Sequence, residues 1–329
     1  MFNKDLSIGN IVLPSRVVLG PMAGITTLAY REFMKPFGVG LSFSEMISDC
    51  GIDYENRRTY EYLATSDIDR PVGLQIFGFS EENSVKAVQI IQKQADYDFL
   101  DINLGCPVTK VVKTGAGSAW LKNPEALEEY VRAIVEVSEK PVTAKIRLGW
   151  DEDSINVEEV SHRLENAGVS LLSIHCRTRS QGYSGKANYE AIAGLKETLK
   201  IPLCVSGDIF SLKDAKRALE VTHADAIMVA RGAVGNPYLV TQIKHYMETG
   251  EELPNPDVVQ QAKWALEYSQ KLIDLKGEFV AVRELRGIIP RFFSGAPGYK
   301  KVRNEIAMNT YSKEQLFRVL NGIILRGNC

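Results

Sequence analysis

Eight short apolar runs recur along the first three quarters of this chain, each followed by a longer amphipathic stretch. The runs are Arg16–Leu19, Leu41–Ser44, Val72–Phe77, Phe99–Asn103, Val142–Arg147, Leu171–His175, Pro202–Ser206 and Ala226–Ala230. Helical patterns fall between them at Glu81–Gln94, Pro124–Glu139, Val157–Ala167, Tyr189–Leu199 and Leu212–Val221. Eight strand–helix units in succession predict an α/β fold of the (β/α)8 TIM-barrel type. A doubly wound sheet fits less well, because no GxGxxG follows the first strand and the glycine-rich turns come late. The barrel is expected to occupy residues 1–248, with a link at 249–256. The last part, 257–329, reads as a small all-α helical bundle, from the 3.6-residue periods of Val258–Lys276, Phe279–Phe293, Tyr299–Met308 and Lys313–Leu325.

Polar, titratable and glycine residues collect at the carboxyl end of every run, the face on which barrel enzymes place their chemistry. The fourth run ends Asp101-Ile102-Asn103-Leu104-Gly105-Cys106-Pro107, which delivers Cys106 onto a tight loop followed by Lys110 and Lys113. The seventh and eighth turns, Ser206-Gly207-Asp208-Ile209 and Ala230-Arg231-Gly232-Ala233, read as a phosphate site, with glycines for close approach and amide donors. Lys145 and His175 end the fifth and sixth runs. Lysine inside an apolar strand needs an anionic partner, either a cofactor ring or a salt bridge to Glu45 or Asp101. Gln75 could serve the polar edge of a planar ring. Together the set describes a redox-cofactor pocket with phosphate at one end, as flavin mononucleotide (FMN) requires.

Charge is unevenly spread. Residues 1–256 hold 27 Lys+Arg against 34 Asp+Glu, whereas 257–329 hold 12 against 7. From Arg283 to Arg303 six basic residues face one acid, Glu284, a sign that suits a polyanion. The five cysteines fall into no metal-ligand spacing, so no metal is expected. Met1-Phe2-Asn3-Lys4-Asp5 shows no secretory core, and no run approaches a membrane span. A cytoplasmic protein with no membrane contact and no obligate protein partner is the expectation.

These motifs resemble the tRNA-dihydrouridine synthase family, most of all its bacterial B-type subgroup. The matching stretches are Pro21-Met22-Ala23-Gly24-Ile25-Thr26, Ser44-Glu45-Met46, Gln75-Ile76-Phe77-Gly78, the Asp101–Pro107 run, Lys145–Trp150, Ile174–Arg179, Ser206–Ile209 and Ala230–Gly232, in family order. Tyr238 departs from the family, which usually has Trp after Pro237. The resemblance implies a barrel that holds FMN, reduced by NADPH, and that reduces the C5–C6 double bond of a uridine in the tRNA D-loop. It makes Cys106 the acid that protonates C5 after hydride passes from flavin N5 to C6. An ordinary thiol pKa of about 8.5 suits that role. Asn103 and Arg147 would hold the uracil, with Tyr183 and Lys186 as further substrate contacts. Pro21, Met22, Ala23, Gln75, Lys145, His175, Gly207, Asp208, Arg231 and Gly232 would hold the cofactor. The tail would bind tRNA through Arg286, Lys300, Lys301 and Arg303.

Two rival readings share the barrel. One is an FMN enzyme acting on a free pyrimidine, which would have no need of the basic tail. The other is an RNA-binding flavoprotein without catalysis, against which Cys106, Asn103 and Lys145 argue.

Overall fold

The computed structural model describes residues 5–327; Met1–Lys4 and Asn328–Cys329 lie outside the described residues. The chain opens with a hairpin of β1 (Leu6–Ile8) and β2 (Ile11–Leu13) joined across Gly9-Asn10, with Gly9 at φ +58°. Then come β3 (Val17–Leu19), α1 (Leu28–Met34), β4 (Leu41–Phe43), β5 (Ile47–Ser48), α2 (Asp49–Asp53), α3 (Arg57–Glu61), β6 (Val72–Phe77) and α4 (Glu81–Gln94). The series continues with β7 (Phe99–Asn103), α5 (Thr109–Val112), α6 (Pro124–Val137), β8 (Val142–Arg147), α7 (Val157–Asn166), β9 (Leu171–His175), α8 (Leu195–Thr198), β10 (Leu203–Ser206), α9 (Leu212–Thr222), β11 (Ala226–Val229) and α10 (Tyr238–Thr249).

Strands β3, β4, β6, β7, β8, β9, β10 and β11 pair in parallel, and β11 returns to β3 to close an eight-stranded barrel. β5 adds a short pairing with β6 above β4. The period of two along each strand sorts side chains into two faces. Outward residues such as Leu100, Ile102, Ala144, Ile146, Leu172 and Ile174 pack beneath the helices. The helices begin on capping side chains: Ser80 accepts from the Asn83 amide before α4, and Asn123 from Ala126 before Pro124 opens α6.

Inward residues form layers. The floor is apolar, with Val18, Leu41, Phe43, Phe99, Leu171, Cys204 and Ala226 sealed from below by Leu6, Ile8 and Leu13 of the hairpin. Above it lies a buried polar layer of Gln75, Asp101, Thr143 and Ser173. Asn103, Lys145, His175 and Ser206 stand at the mouth. A plugged floor leaves chemistry one exit, at the carboxyl ends of the strands.

The tail is α11 (Val258–Lys276), α12 (Glu278–Ile288), α13 (Lys300–Asn309) and α14 (Lys313–Gly327). α11 lies against α1 through an aromatic seam: Tyr30 meets Tyr268 edge-on at 5.4 Å, and Phe37 meets Trp264 at 5.1 Å. One apolar cluster runs from the barrel's outer face into this bundle. Between α10 and α11 the chain runs without regular structure, and Gln242 Nε2 donates to Leu253 O and Asn255 Oδ1 to hold it.

Three expectations change. The hairpin floor is unanticipated, although a two-residue Gly-Asn loop is a hairpin signal. Instead of one helix over Tyr189–Leu199 there is a 3-10 turn, Glu190–Ile192, and the four-residue α8, separated by Gly194 at φ +84°. The expected Phe279–Phe293 helix ends at Ile288 and continues as a 3-10 turn, because Pro290 has no N–H to donate and its ring excludes the α-helical carbonyl. No helix among the described residues is long and apolar enough to cross a membrane.

Candidate active site

A cleft opens at the mouth, lined among others by Pro21, Met22, Lys145, His175, Gly207 and Arg231. Tyr183, Asp208 and Gly232 line it too, so nine of the residues singled out from sequence converge here. Phe210, Met228 and Ser206 also contribute to the wall.

One end of the cleft is built by two loops pressed together. A Cβ on Gly232 would lie 1.9 Å from Ile209 O, so only glycine lets the turns after β10 and β11 approach this closely. The amides of Gly207 and Asp208 find no acceptor among the described residues. Arg231 stands beside them, its guanidinium 4.7 Å above the Tyr183 ring. The Asp208 carboxylate itself is engaged elsewhere: it takes Arg177 Nη2 at 2.6 Å and the Ala187 amide at 2.9 Å, with Arg231 at 3.5 Å. Asp208 thus offers its backbone to the cleft and its side chain to the loop after β9.

Arg177, which the sequence reading passed over, is a buried organiser. Besides Asp208 it donates to Ser184 O and Gly185 O, and its Nη1 approaches His175 Nε2 at 3.4 Å. Arginine only donates, so Nε2 accepts and the ring proton sits on Nδ1. Burial, with Lys145, Arg147, Arg177 and Arg231 around it, pushes the His175 pKa well below its ordinary value. His175 is therefore a neutral imidazole at neutral pH. The signal for Arg177 was its place beside the strand end, where a buried cation demands an acid.

Lys145 projects from β8 into the mouth, and among the described residues no hydrogen bond or ion pair holds its ammonium; neither Glu45 nor Asp101 closes on it. Burial, helped by the neighbouring Arg147, lowers its pKa to about 8. Arg147 donates Nε to Gly105 O and Nη1 to Thr178 O and Gly182 O, each at 2.8 Å. It ties the Cys106 loop to the Tyr183 loop, and Tyr183 stands 5.6 Å above it, 59% exposed. Lys186 on the same loop is exposed to solvent.

Cys106 follows β7 with 7% exposure. Burial raises its thiol pKa against weaker opposing pulls from the Val108 amide, Arg147 and Lys145, so the proton stays on sulfur at neutral pH. Asn103 accepts the Cys106 amide at 2.9 Å on Oδ1 and donates Nδ2 to Gln75 Oε1 at 2.8 Å. Gln75 is wholly buried below the cleft, its amide nitrogen 2.6 Å from Asp101. Ala23 also departs from the expected cluster: it faces a separate cavity toward the tail with Gly24, Glu45, Lys276 and Glu284. Glu45 takes the Gly24 amide at 2.5 Å, which fixes the loop that presents Pro21 and Met22.

The tail cations divide into two kinds. Arg286 Nε donates to Ala307 O and Arg303 Nη1 to Phe293 O, holding the bundle together. Lys300 and Lys301 are exposed.

A barrel sealed at one end, with a protonated thiol and the Lys145 ammonium at the other, where a cleft opens, has the build of a barrel enzyme. Comparison with known proteins narrows the class. A model of the dihydrouridine synthase family (Dus) matches residues 18–325, and the chain belongs to that family of oxidoreductases. It is 36% identical over 301 residues to the probable tRNA-dihydrouridine synthase of Rickettsia bellii, covering 92% of both chains. It is 35% identical over 296 residues to tRNA-dihydrouridine synthase B of Pseudomonas aeruginosa, covering 90% of this chain and 89% of that one. Among solved structures, a 2-naphthoyl-CoA reductase complex superposes with a TM-score of 0.56 at 13% identity, over 75% of this chain and 52% of the other, a likeness of fold.

Proposed function

We propose that this protein reduces the C5–C6 double bond of a D-loop uridine in tRNA, with FMN in the cleft and NADPH as the reductant. The observation that carries the cofactor is the donor set: two unpaired amides and Arg231 at one end, and the unpaired Lys145 ammonium toward the other. Such a set fits a phosphate joined to a ring that gains negative charge on reduction. Pro21, Met22, His175, Gly207, Arg231 and Gly232 would hold the group, which supplies hydride to the uracil C6.

The chain's own residues do the rest. Cys106 keeps its proton until carbon C5 needs it, then gives up S–H to form C5–H. Arg147 and Asn103 keep that thiol's loop fixed against the mouth. Lys145 holds positive charge where negative charge develops. The cleft lies at the mouth of a rigid barrel, so the uridine must leave its stack to reach it, at a cost of a few kcal/mol. The basic tail, anchored to α1, offsets that cost by gripping phosphates.

Reversing the exposed pair, Lys300→Glu with Lys301→Glu, is expected to raise KM for tRNA and flatten the salt dependence of binding by about two units of log–log slope. Oxidation of NADPH by oxygen should continue unchanged. Equal loss of both activities would remove the docking role. Arg286 and Arg303 are poorer probes, since their loss releases Ala307 O and Phe293 O.

The function itself is tested anaerobically. The flavin-loaded protein is reduced with NADPH and then mixed with unmodified tRNA, free uridine or orotate. Reoxidation by tRNA alone, with dihydrouridine in the digested product, is expected. Reoxidation by orotate would assign the enzyme to free pyrimidines. Failure to bind FMN would overturn the cleft assignment.

A further inference from the structure

One buried acid has no place in the chemistry described so far. Asp101 is wholly buried in the barrel, and among the described residues it has no ion-pair partner. An isolated carboxylate in such a place requires a compensating reason. Its two oxygens accept from Thr143 Oγ1 at 2.5 Å and Gln75 Nε2 at 2.6 Å. Gln75 Oε1 then accepts from Asn103 Nδ2 at 2.8 Å, and Asn103 Oδ1 accepts the amides of Cys106 at 2.9 Å and Gly105 at 3.3 Å. The links form one unbroken line from the polar layer to the cysteine turn.

The line has a direction. At its upper end stand two backbone N–H groups, which only donate; at its lower end stands a carboxylate, which only accepts. The two amides between them have one orientation that satisfies every bond. Asn103 must turn oxygen up and nitrogen down, and Gln75 must do the same. Flipping either amide would set like groups against one another in a dry interior, where an unmade bond is costly.

We propose that Asp101 is a positioning residue: as the acceptor at the base of this line it sets the orientation of Gln75 and Asn103 and thereby holds the Cys106 turn at the barrel mouth. The catalytic consequence rests on Cys106 as proton donor, but the orientation itself is a property of the cofactor-free protein.

The requirement is for an acceptor rather than for a charge, and this separates the proposal from a general structural role. Asp101→Asn can present its oxygen to Gln75 and its nitrogen to the Thr143 oxygen, so the line survives. Asp101→Leu offers no acceptor. Amide hydrogen exchange in cofactor-free protein reads the Gly105 and Cys106 N–H groups directly. Alkylation of Cys106 reads the thiol, with Cys50 and Cys329 replaced by serine.

Asp101→Asn is expected to keep both amides protected. Asp101→Leu should speed their exchange about tenfold, the worth of one buried hydrogen bond, and change the alkylation rate, while peptides from β9 and β10 stay protected. Gln75→Met, which breaks the line without touching Asp101, should behave as Asp101→Leu does and carries the test if that variant fails to fold. Equal loosening by Asp101→Asn and Asp101→Leu would mean that charge, not acceptance, is what the site needs, and would overturn the proposal. Unchanged exchange in Asp101→Leu or Gln75→Met would overturn it as well. None of these outcomes depends on whether tRNA is the substrate.

Discussion

Cys106→Ala is expected to lower uridine reduction by about 10²–10⁴-fold, the usual worth of a positioned general acid, while leaving FMN binding and reduction by NADPH intact. The side chain is buried and small, and alanine preserves its turn, because the Asn103 bond is made to the Cys106 backbone amide. Single-turnover reoxidation by tRNA measures the effect separately from flavin reduction. The pH profile carries further information. An acid works while protonated, and burial raises this thiol's pKa above its ordinary value. The wild-type rate should therefore hold steady through neutral pH and fall only on the alkaline side, beyond the range where an exposed thiol would titrate. A Cys106→Ala enzyme that still makes dihydrouridine at the wild-type rate would remove the acid from the mechanism.

Lys145→Met should move stability and cofactor affinity in opposite directions. The ammonium is partly withdrawn from water at the barrel mouth with no hydrogen-bond or ion-pair partner among the described residues, and its pKa is lowered to about 8 from the 10.5 of a free lysine. A depressed lysine pKa means the fold disfavours the charged form. Its cost is absent above pH 10.5, grows as pH falls toward 8, and is complete at neutral pH. Removing the charge should thus stabilise the cofactor-free protein at pH 7 by about 1–3 kcal/mol, and by progressively less as pH rises toward 10. The same change should weaken FMN about 10- to 100-fold, the worth of a hydrogen bond to a charged group. Urea unfolding at the two pH values and a flavin titration would check both halves. A variant that is less stable at pH 7, or that binds FMN as tightly as wild type, would contradict the view that Lys145 is held in reserve for an anion.

Much of this site was legible in the chain because barrel strands are local objects. The alternation in Val142–Arg147 announces a strand, and its position among eight such units announces which end faces the mouth. Lys145 and His175 follow from that register alone, since residues two apart share a face. The glycine turns after β10 and β11 read as an anion site because glycine is needed wherever a loop must come close to another backbone, here Gly232 against Ile209 O. Ala23 shows the complementary limit of local reading. It adjoins Met22 in sequence, but the turn through Gly24 at φ +74° swings it toward the tail.

What the sequence determined by itself is the class of fold, the order of its parts, the cysteine at the end of β7 and the basic character of the tail. All of these rest on periodicity and on neighbours within a few residues. Only the tertiary structure decided who partners whom: Arg177 with Asp208, Arg147 with the carbonyls of two loops, Asp101 with Asn103 through Gln75, and α11 with α1 through Tyr268 and Tyr30. The physical reason lies in the range of the forces. A hydrogen bond forms only when donor and acceptor come within about 3 Å, and residues 26 to 238 positions apart reach that range, or ring contact, only after the barrel has closed.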